Sequence, residues 1–122
     1  MDAGAFSGDP TRPGAMQTDA LIQGMNALDY QVANLSEREL QHGYPAFEAR
    51  RKTARFEFVS ANVVWQDTGE PVVAATTIRK VALREGAKAR EVRIGFIGLT
   101  RNDPAFLKEG VKGRRIVTVD PF

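Results

Sequence analysis

Few residues in this 122-residue chain are of a type and spacing that could do chemistry. The sharpest candidate is Asp67-Thr68-Gly69, a carboxylate on a tight turn. Two such aspartates brought together across a dimer would share one proton and act as an acid–base pair, because like charges at short range do not both ionise. His42 is the single imidazole, and no Ser, Cys or carboxylate stands at a spacing that would make it a general base. Gly95-x-x-Gly98 lies in a β-branched and aromatic run, whereas a phosphate loop needs a strand-to-helix turn. The string EGVKGRR, Glu109 to Arg115, offers amides and guanidiniums to a phosphate, but with nothing beside it to mark a nucleotide fold it reads rather as a polar β-turn.

The absence of cysteine excludes disulfides and thiolate chemistry, and His42 alone does not make a zinc site. No cofactor and no metal is therefore expected. The first sixteen residues lack the basic and apolar regions of a secretory signal, and no apolar run approaches a membrane span. The expected location is the cytoplasm or a particle assembled there, with no membrane partner.

Asp67-Thr68-Gly69, followed by Phe96-Ile97-Gly98, resembles the aspartic proteases of the retroviral type. The resemblance implies a homodimer with Asp67 as its catalytic carboxylate. The chain departs from that pattern in Gln66 before the aspartate and Glu70-Pro71 after it, and the interval to Phe96 is too short for a flap hairpin with its strands. D-T-G is also ordinary hairpin chemistry, so no catalytic residue is assigned.

The elements that must position any site are read from periodicity. Residues 1–16, with Gly4, Gly8, Gly14, Pro10 and Pro13, have no hydrophobic period and are expected to be a flexible arm, leaving 17–122 as one α+β domain. Thr18 reads as an N-cap, and Leu21, Met25, Leu28, Val32 and Leu35 form an apolar seam that predicts a helix over 18–35. Ser36-x-x-Glu39 is a capping box for a short second helix, closed by Gly43 and Pro45. Runs at 53–66, 72–84, 90–101 and 114–120 predict four strands of one antiparallel sheet with the helix on one face, and 103–110 one more helical turn. Phe56 and Phe58 alternate out of phase with Val63 and Trp65, which predicts a bulge between Val59 and Asn62. Strand 72–84 leaves open which of its two faces meets the core.

Charge separates along the chain. Residues 1–49 carry two basic and seven acidic side chains, while 50–122 carry fifteen basic and eight acidic ones. Such a split suits contact between copies or with a polyanion. With the arm, the weakly charged helix and the missing catalytic constellation, it favours a non-enzymatic assembly subunit of a multicopy complex, of the virion or tail type. Phe6, Gln23 and Gln31 would then meet self or other protein subunits. The alternative is a nucleic-acid-binding module using Arg50, Arg51, Lys52, Arg79, Arg93, Arg114 and Arg115.

Overall fold

The computed structural model describes residues 1–122. Helix α1 (Arg12–Ala27) begins earlier than its seam suggested: Thr11 is extended, and its hydroxyl accepts the Gly14 N–H at 3.2 Å. Pro13 sits in the first turn, where its missing N–H costs nothing. Thr18, expected as the cap, is instead buried mid-helix, its hydroxyl donating to the Gly14 carbonyl at 2.9 Å and accepting the Gly8 N–H at 3.0 Å. The buried stripe is Gly14, Thr18, Ile22, Met25 and Asn26, while Leu21 and Leu28 are 45% and 74% exposed. The helix stops before Asp29, which is in the left-handed region, and Val32 and Leu35 lie outside it.

Beyond the helix the chain forms β1 (Val32–Asn34), parallel to β2 (Glu57–Val59) with Val32 opposite Glu57. A parallel pair needs a crossover, here one 3-10 turn at Arg38–Leu40 and helix α2 (Tyr44–Thr53). Asn26 ties α1 to this unit, donating to the Thr53 carbonyl at 2.9 Å and accepting the Arg55 N–H at 2.7 Å. The other edge of β1 is taken by Asp2, which gives its N–H to Val32 and accepts from Asn34, both at 3.0 Å. Residues 1–16, expected as an arm, are therefore part of the body, the last five of them helical.

Three small sheets replace the single sheet expected. Besides the parallel pair, β3 (Val63–Trp65), β7 (Arg115–Thr118) and β6 (Leu107–Glu109) form an antiparallel sheet in the order β3-β7-β6, and β4 (Thr76–Glu85) and β5 (Lys88–Ile97) form a ribbon. The segment expected as a helical turn at 103–110 thus contributes a strand. The switch of phase between Val59 and Asn62 is the place where the chain passes from the parallel pair to the antiparallel sheet. Mixed helix and strand with antiparallel sheets is the architecture, as the sequence indicated at that coarser level.

The core gathers Ile22, Leu35, Leu40, Phe47, Phe58 and Ile116 from all parts of the body except the ribbon. Phe6 stacks on Phe58 with ring centroids 6.2 Å apart and meets Phe56 edge-on at 6.5 Å. The aromatic expected to anchor on a neighbouring subunit is packed against this chain's own core. No helix is long and apolar enough to cross a membrane.

Candidate functional site

The loop leaving β1 and the loop leaving β5 meet at the carboxyl ends of the parallel strands. Thr100 joins them: its hydroxyl donates to the Leu35 carbonyl at 2.5 Å, and its N–H donates to Asn62 Oδ1 at 2.8 Å. Asn62 in turn donates to the carbonyls of Thr100 and Val119 at 2.6 and 3.1 Å, fixing the strand ends to the C-terminal segment. Gly98 is required here, because a Cβ on it would collide with the Val59 carbonyl and with Asn34 Oδ1.

Between the loops lies a cleft of about 280 Å³ whose walls include Asn34, Ser36, Glu37, Arg38, Thr100 and Arg101. Asn34 is only 6% exposed; its amide N–H groups donate to Leu99 and Ala3 carbonyls and the Thr100 hydroxyl, while its Oδ1 is buried with no hydrogen-bond partner. Glu39 turns away from the cleft. Its carboxylate accepts the N–H groups of Ala5, Ser7 and Ser36 at 3.1, 3.3 and 2.9 Å and the Ser36 hydroxyl at 2.5 Å. One arm of the capping box therefore forms, from Glu39 back to the Ser36 N–H, whereas Ser36 Oγ accepts the Arg38 N–H at 3.3 Å and not that of Glu39; the Glu39 carboxylate also clamps the N-terminal segment.

The cleft's charges sort into paired and free. Glu37 lies 3.5 Å from Lys108, and Arg101, its side chain 85% exposed, lies 3.3 Å from Asp103. Arg38 is on the wall of this cleft and also of the groove beside α1; it makes no salt bridge but stands near enough to Asp9 for its charge to be felt there. An anion entering the cleft would meet Arg38 on its wall and the guanidinium of Arg101, which is held only by a weak surface pair. The Ser36 and Thr100 hydroxyls are both spent on protein acceptors, so neither stands as a nucleophile. No three His, Asp or Glu side chains converge anywhere in the chain, and the nearby carboxylates are engaged as described, so this donor set does not fit a metal ion held by the chain alone.

The residues singled out from the sequence do not gather in this way. Asp67 is locked by Arg114 through two hydrogen bonds of 2.8 and 3.0 Å, and Arg114 also lies 4.2 Å over the Trp65 ring. The Arg114 hydrogen bond holds the Asp67 carboxyl below the usual aspartate range, the reverse of a proton-sharing acid. Val111 to Arg114 forms a turn with Lys112 and Gly113 left-handed, closed by Arg114 N–H to the Val111 carbonyl at 3.1 Å. His42 is half-buried with Nε2 unpaired and no catalytic partner.

Of the basic residues offered to nucleic acid, Arg50, Arg51, Arg79 and Arg114 are paired with Asp19, Glu48, Glu57 and Asp67. Arg93 stands on the other strand of the ribbon from Arg79, and Arg115 is in another sheet, while Lys52 is exposed at the end of α2. They form no common surface. Gln23 and Gln31 are exposed, Gln31 Nε2 donating to the Asp29 carbonyl at 3.1 Å. Arg38, Arg101, Asn34 and Thr100 were missed. Their signal was weak but present: Arg38 sits inside the capping box, and Thr100-Arg101 end a strand, where ligands collect in α/β sheets.

Comparison with known proteins bears on this geometry. No family model matches the chain. It is 32% identical over 79 residues to a 2′,3′-cyclic-nucleotide 2′-phosphodiesterase/3′-nucleotidase of Yersinia enterocolitica, covering 64% of this chain and 12% of that protein. A protein of the same description from Haemophilus influenzae is 29% identical over 107 residues, 83% of this chain and 16% of that one. Among solved structures, the calcineurin-like phosphoesterase YfkN from Bacillus subtilis superimposes with a TM-score of 0.60 at 29% identity, over 78% of this chain and 32% of that chain. The fold is thus similar to that of a calcineurin-like phosphoesterase. The chain spans 12% and 16% of the length of these two relatives. These likenesses, all to phosphoesterases, overturn the expectation of a non-enzymatic virion or tail subunit, and with it the nucleic-acid module and the protease.

Proposed function

We propose that this chain takes part in phosphoester chemistry on nucleotides and that its own share is to hold the phosphate in the cleft beyond β1 and β2. The observation that supports this most is that both relatives, matched over 64% and 83% of the chain, are described as 2′,3′-cyclic-nucleotide 2′-phosphodiesterase/3′-nucleotidases. The cleft's chemistry agrees with it. Arg38 offers a planar fork of N–H donors suited to two phosphate oxygens, and Arg101 exchanges a weak pair with Asp103 for a second contact. Glu37 is offset by Lys108, so it does not repel the anion.

Calorimetric titration of the purified chain with 3′-AMP, 2′,3′-cyclic AMP and adenosine tests the reading. Both phosphoesters are expected to bind more tightly than adenosine, and Arg38→Ala to weaken them roughly tenfold or more, the scale of one charge-assisted hydrogen bond. Nucleotides that bind no better than adenosine, or an Arg38→Ala variant that binds them unchanged, would contradict it.

A further inference from the structure

The ribbon of β4 and β5 is the one large element that this fold leaves uncovered. Its ten paired positions run from Thr76 opposite Ile97 to Glu85 opposite Lys88, and most residues along both strands are exposed. Gly86 at φ +62° followed by Ala87 with a negative φ makes a two-residue turn of the II′ kind, so Glu85 and Lys88 form a hydrogen-bonded pair. Alternation along the ladder then commits the backbone of Lys88, Arg90, Val92, Ile94 and Phe96 to β4. Ala89, Glu91, Arg93 and Gly95 turn their N–H and C=O groups to the free edge, and a row of unpaired groups on a long edge is a template for another strand. An isolated two-stranded ribbon is also marginal by itself.

We propose that β5 pairs with β5 of a second copy of this chain, antiparallel about a two-fold axis at Val92. This register makes Val92 face its own counterpart as a non-hydrogen-bonded pair. The free-edge groups then match: Glu91 lies opposite Arg93 of the second copy, Arg93 opposite its Glu91, and Ala89 and Gly95 opposite each other, each pair exchanging two N–H···O bonds. Charge selects this centre. A two-fold at Glu91 or at Arg93 would set like charges face to face, whereas the Val92 centre gives two opposite-charge pairs, each favourable across strands. Lys80, 3.6 Å from Glu91 on the same face of the ribbon, leaves room for Arg93 of the second copy on the other side of that carboxylate. The edge of β4 offers no equivalent, since a two-fold at Val81 sets Lys80 against Ala82 and Ile78 against Arg84. Thr77 and Arg79 on β4 are moreover engaged by Glu57 of the body.

The inference rests on the ribbon alone and stands or falls independently of the phosphate cleft. Light scattering after size exclusion, run at high protein concentration, is expected to show a dimer for the native sequence. Glu91→Arg, at an exposed position and with its fold checked by circular dichroism, is expected to give a monomer, and Glu91→Arg with Arg93→Glu to restore the dimer. Because the chain has no cysteine, Val92→Cys reports the axis directly. Its two Cα atoms would lie about 4.5 Å apart, within disulfide range, so mild oxidation should give a covalent dimer. Arg90→Cys, which faces Ile94 of the second copy, should not cross-link. A monomeric native chain, a dimer indifferent to Glu91→Arg, or Arg90→Cys cross-linking as readily as Val92→Cys would overturn the proposal. The last result would indicate packing through the apolar face of Val81, Leu83, Val92 and Ile94 instead.

Discussion

Arg38 and Glu39 are chain neighbours with opposite roles. Glu39 is 3% exposed and accepts four hydrogen bonds, three of them from backbone N–H groups. Glu39→Ala leaves those donors buried and unpaired, so a loss of roughly 1 to 3 kcal/mol is expected. Hydrogen exchange at the Ala5 and Ser7 amides should accelerate in that variant and remain unchanged in Arg38→Ala; protection retained at both amides would show that Glu39 is not the clamp. The apolar stripe of α1 gives a second contrast. Ile22→Ala, at a position 1% exposed, is expected to cost about 2 to 5 kcal/mol in a denaturant titration. Leu28→Ala, at a residue already 74% exposed to water, should stay within about half a kcal/mol. Asp67 supplies the pH dependence. Its carboxyl is depressed by the Arg114 hydrogen bond, so the contribution of that pair is present above the ordinary aspartate pKa and is lost as pH falls through the depressed value. Carbon-detected NMR titration of Asp67 should show a midpoint below the ordinary aspartate range, and Arg114→Ala should return it toward that range.

At the level of elements, Gly98 and Gly95 separate close packing from mere permissiveness. Gly98→Ala drives a methyl group into the Val59 carbonyl, at the junction that holds the two cleft loops, and about 1 to 3 kcal/mol should be lost. Gly95→Ala meets nothing and should shift the thermal midpoint little. How far these elements could be read from the sequence depended on the range of the contacts that make them. The capping box, the phase switch at Ser60 to Asn62 and the long β-branched runs of β4 and β5 are local signals, and they mark real features. The helix seam misled because Leu21 and Leu28 sit among good helix formers at heptad spacing, while the stripe that is buried contains Thr18 and Asn26, held by polar contacts with Gly8, Gly14, Thr53 and Arg55. Polar groups satisfied across the fold are invisible to a hydrophobic pattern. The same holds for β1, a three-residue strand that gains its partners from Asp2 and β2, far away in sequence.

For the molecule as a whole, the cleft was the least legible part, since Arg38 and Arg101 line it together only because β1 and β5 end at the same side of the body. The charge split between the two halves of the chain was visible, yet part of it is taken up by internal pairs that cross it: Asp19 with Arg50, Glu48 with Arg51 and Glu37 with Lys108. The fold is similar to that of a calcineurin-like phosphoesterase, of which the chain covers 32%, and the proposal that the cleft holds a nucleotide's phosphate is open to one direct measurement. Amide chemical shifts of the labelled chain, followed as 2′,3′-cyclic AMP is added and compared with adenosine, should move at Asn34 to Arg38 and Leu99 to Asp103 only for the phosphoester. Shifts confined to Lys112 to Arg115, or no difference between nucleotide and nucleoside, would contradict it.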